Sequence, residues 1–541
     1  MKDISSTGSF IDFTLENFIY VDKTEYIPKL VKLKRVFISR PRRFGKSLTL
    51  DTIATLFETG VEPYFKGTWI YDKWTEPTYP VLRLNFLNFD KNTLEKFNNK
   101  LNSKITEFAE LNQVTTYKEK DEAEDSIDHL LEQLRLEGRQ IVILIDEYDC
   151  QMTANINNET LYKQFQEKIK SFYANIKDKF AIKFLGITGV TRLKDVSIFS
   201  VGSDINDITN ASAYSQMIGF TRDEIKKYYI DYLKLASSYE NNCSVDDVTD
   251  TQLESMLDMM AQNYDGYCFD EDYEKKVFST WSVNKFFQTM IEKKKVQFGE
   301  YWYDNGGLPS ILVNYLKTHE LNIFEYLDKD KFLKVSSDDF KNPTALTTIN
   351  QNVLMCQTGY LTLRSDLNKT STVALGIPNG EIYKALNRLL ANNIFKGNTD
   401  ITDDYGRSLL EVGTVDDIIN LFNSALNSVS YDNYPIVSES SVQNMLKLYL
   451  LGAHQEVLSE VHEAKGRADL VVNTDNRRIV FEFKYAKNEA EAKSKLSEAV
   501  EQIKTRDYGN ILPKKNELIR IAAVFNADPK VRAFTENQIV P

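Results

Sequence analysis

Three sets of residues in this 541-residue chain have types and spacings that could do chemistry. The first is Gly45-Lys46-Ser47, which follows the short apolar run Val36 to Ile38 and precedes Leu48-Thr49-Leu50-Asp51-Thr52-Ile53-Ala54. Strand, loop, helix is the setting of a phosphate-binding loop. A helix N-terminus offers unpaired N–H groups and the positive end of its dipole to an anion. Lys46 could reach the β- and γ-phosphates, and the Ser47 hydroxyl could ligate Mg²⁺. The usual pattern is G-x-x-x-x-G-K-[ST], and Arg40 stands here in place of its first glycine. The loop therefore needs support from elsewhere in the chain.

That support is the second set. Asp146-Glu147 ends the apolar run Ile141-Val142-Ile143-Leu144-Ile145. Asp146 would hold Mg²⁺ directly or through water, and Glu147 could orient and deprotonate the attacking water. Alone, an Asp-Glu pair after a strand reads as a solvated loop. Asp149 reads either as a residue supporting the site from behind or as a helix cap. Thr188 and Arg192 follow the next apolar run. A polar residue there can sense the γ-phosphate, and an arginine can stabilise charge in the transition state; a structural salt bridge is the equal alternative for Arg192. Arg40, Arg42 and Arg43 either add charge against a triphosphate or contact a partner or nucleic acid.

The third set lies near the C-terminus. Glu482-x-Lys484 puts a carboxylate and an ammonium on one face of a strand, because side chains there alternate with period two. Asp469 lies on the preceding strand, and Glu439 on the helix before it could add a ligand; Glu460 is a weaker candidate. Two carboxylates suit Mg²⁺ or Mn²⁺, with Lys484 positioning the nucleophile. The plain alternative is a surface hairpin with a cross-strand charge pair. The four histidines, His129, His319, His454 and His462, do not cluster, and none reads as a zinc ligand.

The elements that must position these residues follow from periodicity. Residues 1 to about 33 form a lead-in in which Asp22 or Thr24 could cap a helix through Leu30. Residues 79 to 86 alternate as a strand, 92–112, 124–138 and 160–177 read as helices, and Ile182 to Ile187 as another strand. Ile141 to Ile145 is continuously apolar, as a strand buried on both faces of a parallel sheet should be. Strands alternating with helices predict a three-layer α/β sheet with ligands at the strands' carboxyl ends. Thr221-x-x-Glu224 has the form of a capping box opening a mostly helical stretch to about 335. Polar residues thicken between 400 and 436 and mark a boundary. Ser438 could cap a helix from Glu439, three strands follow (456–460, 466–472, 478–484), then an amphipathic helix over 488–506 and a closing strand, Ile519 to Phe525.

Composition bounds the rest. Hydrophobic residues make up 42% and charged residues 27%, which fits a folded chain of three or four domains rather than a disordered one. The net charge of -12 excludes a uniformly basic nucleic-acid coat but leaves room for a local basic groove. No apolar run is long enough to cross a membrane, and Met1 to Thr7 lack a signal-peptide core. The four cysteines show no metal-type pairing, so a reducing cytoplasm is expected.

Tyr20-Val21-Asp22-Lys23-Thr24, Ser39-Arg40-Pro41-Arg42-Arg43-Phe44-Gly45-Lys46-Ser47, Leu144-Ile145-Asp146-Glu147-Tyr148-Asp149 and Ile187-Thr188-Gly189-Val190-Thr191-Arg192 together resemble the bacterial AAA-ATPase-like family. Tyr264-Asp265-Gly266-Tyr267 and Gln357-Thr358-Gly359-Tyr360-Leu361-Thr362 resemble its later signatures. The family commonly carries a C-terminal PD-(D/E)XK nuclease-superfamily domain, and Gln502 and Tyr508 resemble the Gln…Tyr signature of one nuclease branch. The resemblance covers nearly the whole chain and accounts for Arg40, since the family writes its phosphate loop in this way. It implies an α/β protein: a P-loop NTPase three-layer domain over 1–215, a mostly helical lid or middle region over 216–400, and a restriction-endonuclease-like domain over 401–541. It implies an ATPase that controls a metal-dependent nuclease acting on DNA, in mobile-element or defence biology. Gly45, Lys46, Ser47, Asp146, Thr188 and Arg192 would bind ATP and Mg²⁺, with Glu147 as base. Asp469, Glu482 and Lys484 would cut, with Glu439 as a further ligand to Mg²⁺ or Mn²⁺. A homo-oligomer is compatible with this reading. The alternative is a signalling NTPase whose C-terminal domain binds nucleic acid or protein without cleavage.

Overall fold

The structure, a computed structural model, describes residues 1–176, 179–193, 205–302, 310–316, 319, 322–343, 345–369, 371–395, 405–453, 456–463, 466–509 and 517–541. The chain divides into two compact units, 1–319 with 332–382, and 320–331 with 383–541.

The first unit is built on a parallel sheet. Its strands are β1 (Arg35–Ser39), β2 (Val81–Asn85), β3 (Ile141–Asp146), β4 (Ile182–Gly189) and β5 (Asn206–Asp207). They lie in the order β2-β3-β4-β1-β5, every pair parallel. Every residue of β3 is buried, as its unbroken apolar run requires. Helices Lys46–Thr59, Leu94–Leu111, Ala123–Leu136 and Glu159–Ile176 provide the crossovers, close to the expected bounds. A short helix at Cys150–Ala154 was too brief to show a period. The strand order carries a consequence for chemistry. Because β4 lies between β1 and β3, its carboxyl end sits between the phosphate loop and Asp146.

The lead-in is pinned by its own polar residues. Asp22 accepts from the Thr24 amide and hydroxyl (2.9 and 2.7 Å) and from the Trp69 amide (2.5 Å), and Thr24 accepts from the Ile70 amide. The helix after them is Ile27–Leu33. The helical region opens at Arg222–Tyr228 with the expected capping box, Thr221 and Glu224. Glu224 also accepts from Lys23 (2.7 Å). Ile19 and Val21 of the lead-in enter the core of this region beside Ile225, Leu233, Met256, Met260 and Phe287. The sequence reading missed a small antiparallel sheet, β6 (Leu333–Ser336), β7 (Thr362–Leu363) and β8 (Thr372–Gly376), ordered β6-β8-β7. Its strands are short and far apart in the chain, which hides their alternation.

The second unit holds a five-stranded mixed sheet: β9 (Glu456–Glu463), β10 (Gly466–Asn473), β11 (Arg477–Ala486), β12 (Glu517–Asn526) and β13 (Ala533–Ile539), in the order β13-β12-β11-β10-β9. Only β11 and β12 pair in parallel. That crossover needs a helix, and Glu489–Arg506 supplies it. Strand β13 was not expected: Thr535, Glu536, Asn537 and Gln538 are polar, as befits an edge. Part of the polar stretch expected as a boundary also folds. It contains helices Tyr405–Val412 and Val415–Asn427, and Phe422 of the second packs on Phe481 and Phe534. Among the described residues no helix is long and apolar enough to cross a membrane.

Candidate active sites

Residues 40–45 join β1 to helix Lys46–Thr59. Gly45 caps that helix in a left-handed conformation (φ 102°). A Cβ there would meet nothing within 4 Å, so the need for glycine is conformational. Lys46 is buried (4% exposed) and donates to the carbonyls of Arg40 (3.0 Å) and Pro41 (3.2 Å). Asp146 is the hub. Its Oδ2 accepts from the Ser47 hydroxyl at 2.6 Å, and its Oδ1 from the Thr188 hydroxyl at 2.5 Å. Three elements thus meet on one carboxylate. A hydroxyl in contact with a carboxylate is an all-oxygen donor set that fits Mg²⁺.

Glu147 has a left-handed backbone (φ 52°), uncommon for a residue with a side chain. Its carboxylate lies 3.8 Å from the Lys46 ammonium. Burial raises its proton affinity, the Lys46 charge opposes this, and the net direction is upward. That suits a general base. Asp149 has a different task. Its carboxylate accepts from the Thr191 amide (2.7 Å) and hydroxyl (2.6 Å) and from the Val190 amide (3.3 Å), tying the loop after β3 to the end of β4.

The phosphate loop and Glu147 open onto a cleft of about 380 Å³. Gly45, Lys46, Ser47, Arg42 and Glu147 line one part of it. Tyr20, Tyr26, Ile218, Phe220 and Trp281 line another, so the lead-in and the helical region share this cleft with the phosphate loop.

In the second unit Glu482 and Lys484 face the same way from β11. Lys484 donates to Glu482 Oε1 (2.7 Å) and to Glu439 Oε1 (3.3 Å). Asp469 sits where β10 parts from β11, whose pairing starts at Leu470, and its Oδ2 accepts from the Phe483 amide (2.8 Å). Glu482 is fully buried, and among the described residues its Oε2 has no hydrogen-bond partner. A buried carboxylate oxygen left unsatisfied is costly, and a cation would satisfy it. Burial, then the Asp469 charge, pushes the Glu482 carboxyl up to about 7, against the pull of Lys484. Burial likewise raises Glu439. Burial lowers the Lys484 ammonium, but the Glu482 hydrogen bond and the three carboxylates outweigh it, so the net shift is upward. Glu482 and Asp469 fit a hard divalent cation. Glu439 is engaged by Lys484, and among the described residues no three His, Cys, Asp or Glu side chains already form a metal-binding group.

Residues 5–199 match the family model described as predicted AAA-ATPase, AAA-ATPase-like, and residues 437–535 match that of the PD-(D/E)XK nuclease superfamily. The chain joins a predicted AAA-ATPase domain to a PD-(D/E)XK nuclease-superfamily domain. It is also 26% identical over 535 residues to a protein of Azotobacter chroococcum mcd 1, described as an uncharacterized protein in the vnfD 5′ region. That match covers 95% of this chain and 94% of the other. Among solved structures, the Walker-type ATPase PABY2304 of Pyrococcus abyssi is 11% identical with a TM-score of 0.36, covering 68% of this chain and 96% of that one. Aeropyrum pernix Orc1 in complex with DNA is 9% identical with a TM-score of 0.27, covering 71% and 97%. At these values the likeness adds nothing to the strand order.

The AAA-ATPase domain gathers Gly45, Lys46, Ser47, Asp146, Glu147 and Thr188, and the PD-(D/E)XK domain gathers Glu439, Asp469, Glu482 and Lys484 around one ammonium. Arg192 stands apart from the cleft. It ion-pairs with Asp207 of β5, its amide donates to Gln357, and it lines a separate cavity of about 40 Å³ with Arg40 and Phe269. Gln502 donates to the Tyr508 hydroxyl (3.3 Å), and Arg506 joins them at 2.7 Å. The side chains of Glu460 and His462, and all of His454, lie outside the described residues.

The sequence reading missed a clamp on the phosphate loop. Arg43 (φ 68°) donates to the carbonyls of Tyr301 (2.8 Å) and Trp302 (3.0 Å) and lies over the Trp281 ring. Its own carbonyl accepts from the Thr280 hydroxyl (2.9 Å). Glu381 completes the clamp by accepting from the Trp302 amide and the Ser282 hydroxyl, each at 2.7 Å. Residues 43, 281, 302 and 381 carry no local pattern that spacing could reveal.

Proposed function

We propose that this protein is an ATP-binding hydrolase in which the AAA-ATPase domain controls a metal-dependent phosphodiesterase of the PD-(D/E)XK domain acting on DNA. The observation that carries the reading is the buried, unsatisfied Glu482 Oε2 beside Lys484 and Asp469, in a chain whose Asp146 also joins Ser47 to Thr188. In the ATPase domain Lys46 and the loop amides bind the phosphates, Ser47 and Asp146 hold Mg²⁺, Thr188 orients Asp146, and Glu147 takes a proton from water. We read residues 216–400 as a mostly helical lid or middle region, of which Ile218, Phe220 and Trp281 reach this cleft. In the nuclease domain Asp469 and Glu482 hold Mg²⁺ or Mn²⁺, with Glu439 as a further ligand. Bound metal lowers the pKa of water and neutralises phosphate charge. Lys484 holds Glu482 in place and donates to the nucleophile or to a phosphate oxygen. Cytoplasmic location and self-association belong to the same reading, as does a role in mobile-element or defence biology.

The test compares wild type, Lys46→Ala and Lys484→Ala on plasmid, linear and single-stranded DNA and on RNA, with Mg²⁺ or Mn²⁺, with and without ATP. The proposal expects metal-dependent cutting of DNA that Lys484→Ala abolishes and Lys46→Ala uncouples from ATP. Intact nucleic acid under all conditions ends the nuclease reading. Binding without cutting makes the C-terminal domain a recognition module. Equal cutting by Lys46→Ala ends the coupling.

A further inference from the structure

Three arginines crowd the phosphate loop and a fourth follows β4, and each meets different surroundings. Arg40 is buried (1% exposed). It donates to the carbonyls of Ser39 and Thr209 and lies over the Phe269 ring, 4.2 Å from its centroid. Arg43 is spent on Tyr301, Trp302 and Trp281. Arg192 is paired with Asp207 and lines a separate small cavity with Arg40 and Phe269. Arg42 alone of the four lines the cleft without a hydrogen bond or ion pair to any described residue, and it does so beside Lys46, Ser47 and Glu147. It is half-buried, and its charge is felt at the Glu147 carboxyl.

Its backbone is fixed by its neighbour. Arg43, the next residue, is held at its carbonyl by Thr280 and at its side chain by the clamp, so Arg42 leaves a chain that has little freedom to move. A charge presented from a fixed backbone at the phosphate end of a cleft needs no reorganisation when negative charge develops there.

Resting on the ATPase reading above, we propose that Arg42 is the catalytic arginine supplied in cis, which contacts the γ-phosphate of the bound nucleoside triphosphate. In the step it assists, the oxygen of water bonds to the γ-phosphorus and the bond to the β,γ-bridging oxygen breaks. The electron pair stays on the departing diphosphate, and the proton from water passes to Glu147. The Arg42 guanidinium neutralises charge on the γ-phosphoryl oxygens and on the bridging oxygen.

The experiment uses the full chain and four variants: Arg42→Ala, Arg42→Lys, Arg192→Ala and Lys46→Ala. Steady-state hydrolysis gives kcat and KM, and titration with ADP and with a non-hydrolysable ATP analogue gives the affinity ratio. Arg42→Ala is expected to lower kcat by about 10²-fold, the scale set by loss of one charge-stabilising donor, and to abolish the preference for the triphosphate analogue over ADP. Thermal unfolding should be unchanged, because the side chain makes no hydrogen bond or ion pair to a described residue. Arg42→Lys should restore part of kcat, and Arg192→Ala, which breaks the ion pair to Asp207, should lower kcat less than Arg42→Ala does and keep the preference for the triphosphate analogue. Normal kcat and a normal affinity ratio in Arg42→Ala overturn the proposal, as does a loss of kcat in Arg192→Ala at least as large as in Arg42→Ala. If wild type binds but does not hydrolyse nucleotide, the affinity ratio decides. If wild type and Lys46→Ala bind nucleotide alike, the nucleotide site itself is wrong, and that result is separate from a failure of Arg42.

Discussion

Two aspartates three residues apart, Asp146 and Asp149, show how little a residue's type says about its work. Both are buried. Asp146 accepts from two hydroxyls that could both turn to a phosphate or metal, whereas Asp149 accepts from two backbone amides and a hydroxyl that have nowhere else to go. Asp149→Ala leaves those donors buried and unpaired, and should cost about 3 kcal/mol in urea unfolding of the ATPase domain. Asp146→Asn keeps the shape and should change stability by less than about 1 kcal/mol, while hydrolysis falls by at least about 10²-fold. Equal stability losses in both would show that the difference in partners does not matter. Glu482 gives a pH prediction. Its folded pKa, about 7, lies above its ordinary value, so the folded state holds the proton longer than the unfolded chain does. Its contribution to metal-free stability is fully present below the ordinary carboxylate range and is lost as pH rises through about 7. The melting temperature of the PD-(D/E)XK domain should therefore fall between pH 5 and pH 8 without metal, and Glu482→Gln should flatten that slope. Cutting should rise over the same interval, since only the carboxylate binds a cation.

At the scale of elements, the phosphate loop is held less by its own sequence than by segments more than two hundred residues away. Thr280 and Trp281 open a helix, Thr280–Lys293, whose first turn grips Arg43. Glu381, in the first turn of helix Gly380–Ile394, holds Trp302 and Ser282 in reach of it. Burial pushes the Glu381 carboxyl up to about 8, so it is largely protonated at neutral pH. Glutamine is then a close mimic. Glu381→Gln should cost less than about 1 kcal/mol in chemical denaturation, and Glu381→Ala about 2 kcal/mol because it orphans the Trp302 amide. Glu381→Ala should also weaken nucleotide binding, as Arg43 loses its anchor. A loss in Glu381→Gln as large as in Glu381→Ala would mean the carboxyl is charged after all. Much of this level was legible beforehand: β3, the helices around it and the capping box at Thr221 each announce themselves within a few residues. The small antiparallel sheet β6-β8-β7 and the edge strand β13 did not, because two to seven partly polar residues carry too little periodicity.

For the whole molecule, two compact units imply that unfolding is not a single two-state event. Each unit should respond to its own ligand. A ligand at 100 times its Kd stabilises the state it binds by about 2.7 kcal/mol. ATP with Mg²⁺ should raise one thermal transition and Mn²⁺ alone the other, with Lys46→Ala erasing the first shift and Glu482→Gln the second. A single transition that moves with either ligand in both variants would refute that independence. The net charge of -12 fits this picture, since the segment 437–541 carries sixteen Lys and Arg against fifteen Asp and Glu. The acidic excess lies elsewhere, and nucleic acid need not approach an acidic surface.

What the sequence determined by itself was the inventory of chemistry and its local frames. Gly45-Lys46-Ser47, Asp146-Glu147 and Glu482-x-Lys484 each sit at the end of, or within, an element whose period is written in neighbouring residues, and local pattern suffices for that. The fate of the arginines was decided by tertiary structure alone. Arg40, Arg42, Arg43 and Arg192 are chemically identical and nearly contiguous with the motifs, so nothing local distinguishes them. Their roles follow from what the fold places opposite: Thr209 and Phe269 against Arg40, Trp281 and Trp302 against Arg43, Asp207 against Arg192, and the open cleft in front of Arg42. A guanidinium's function is set by its partner, and these partners come from elements brought together only when the sheet and the helical region pack.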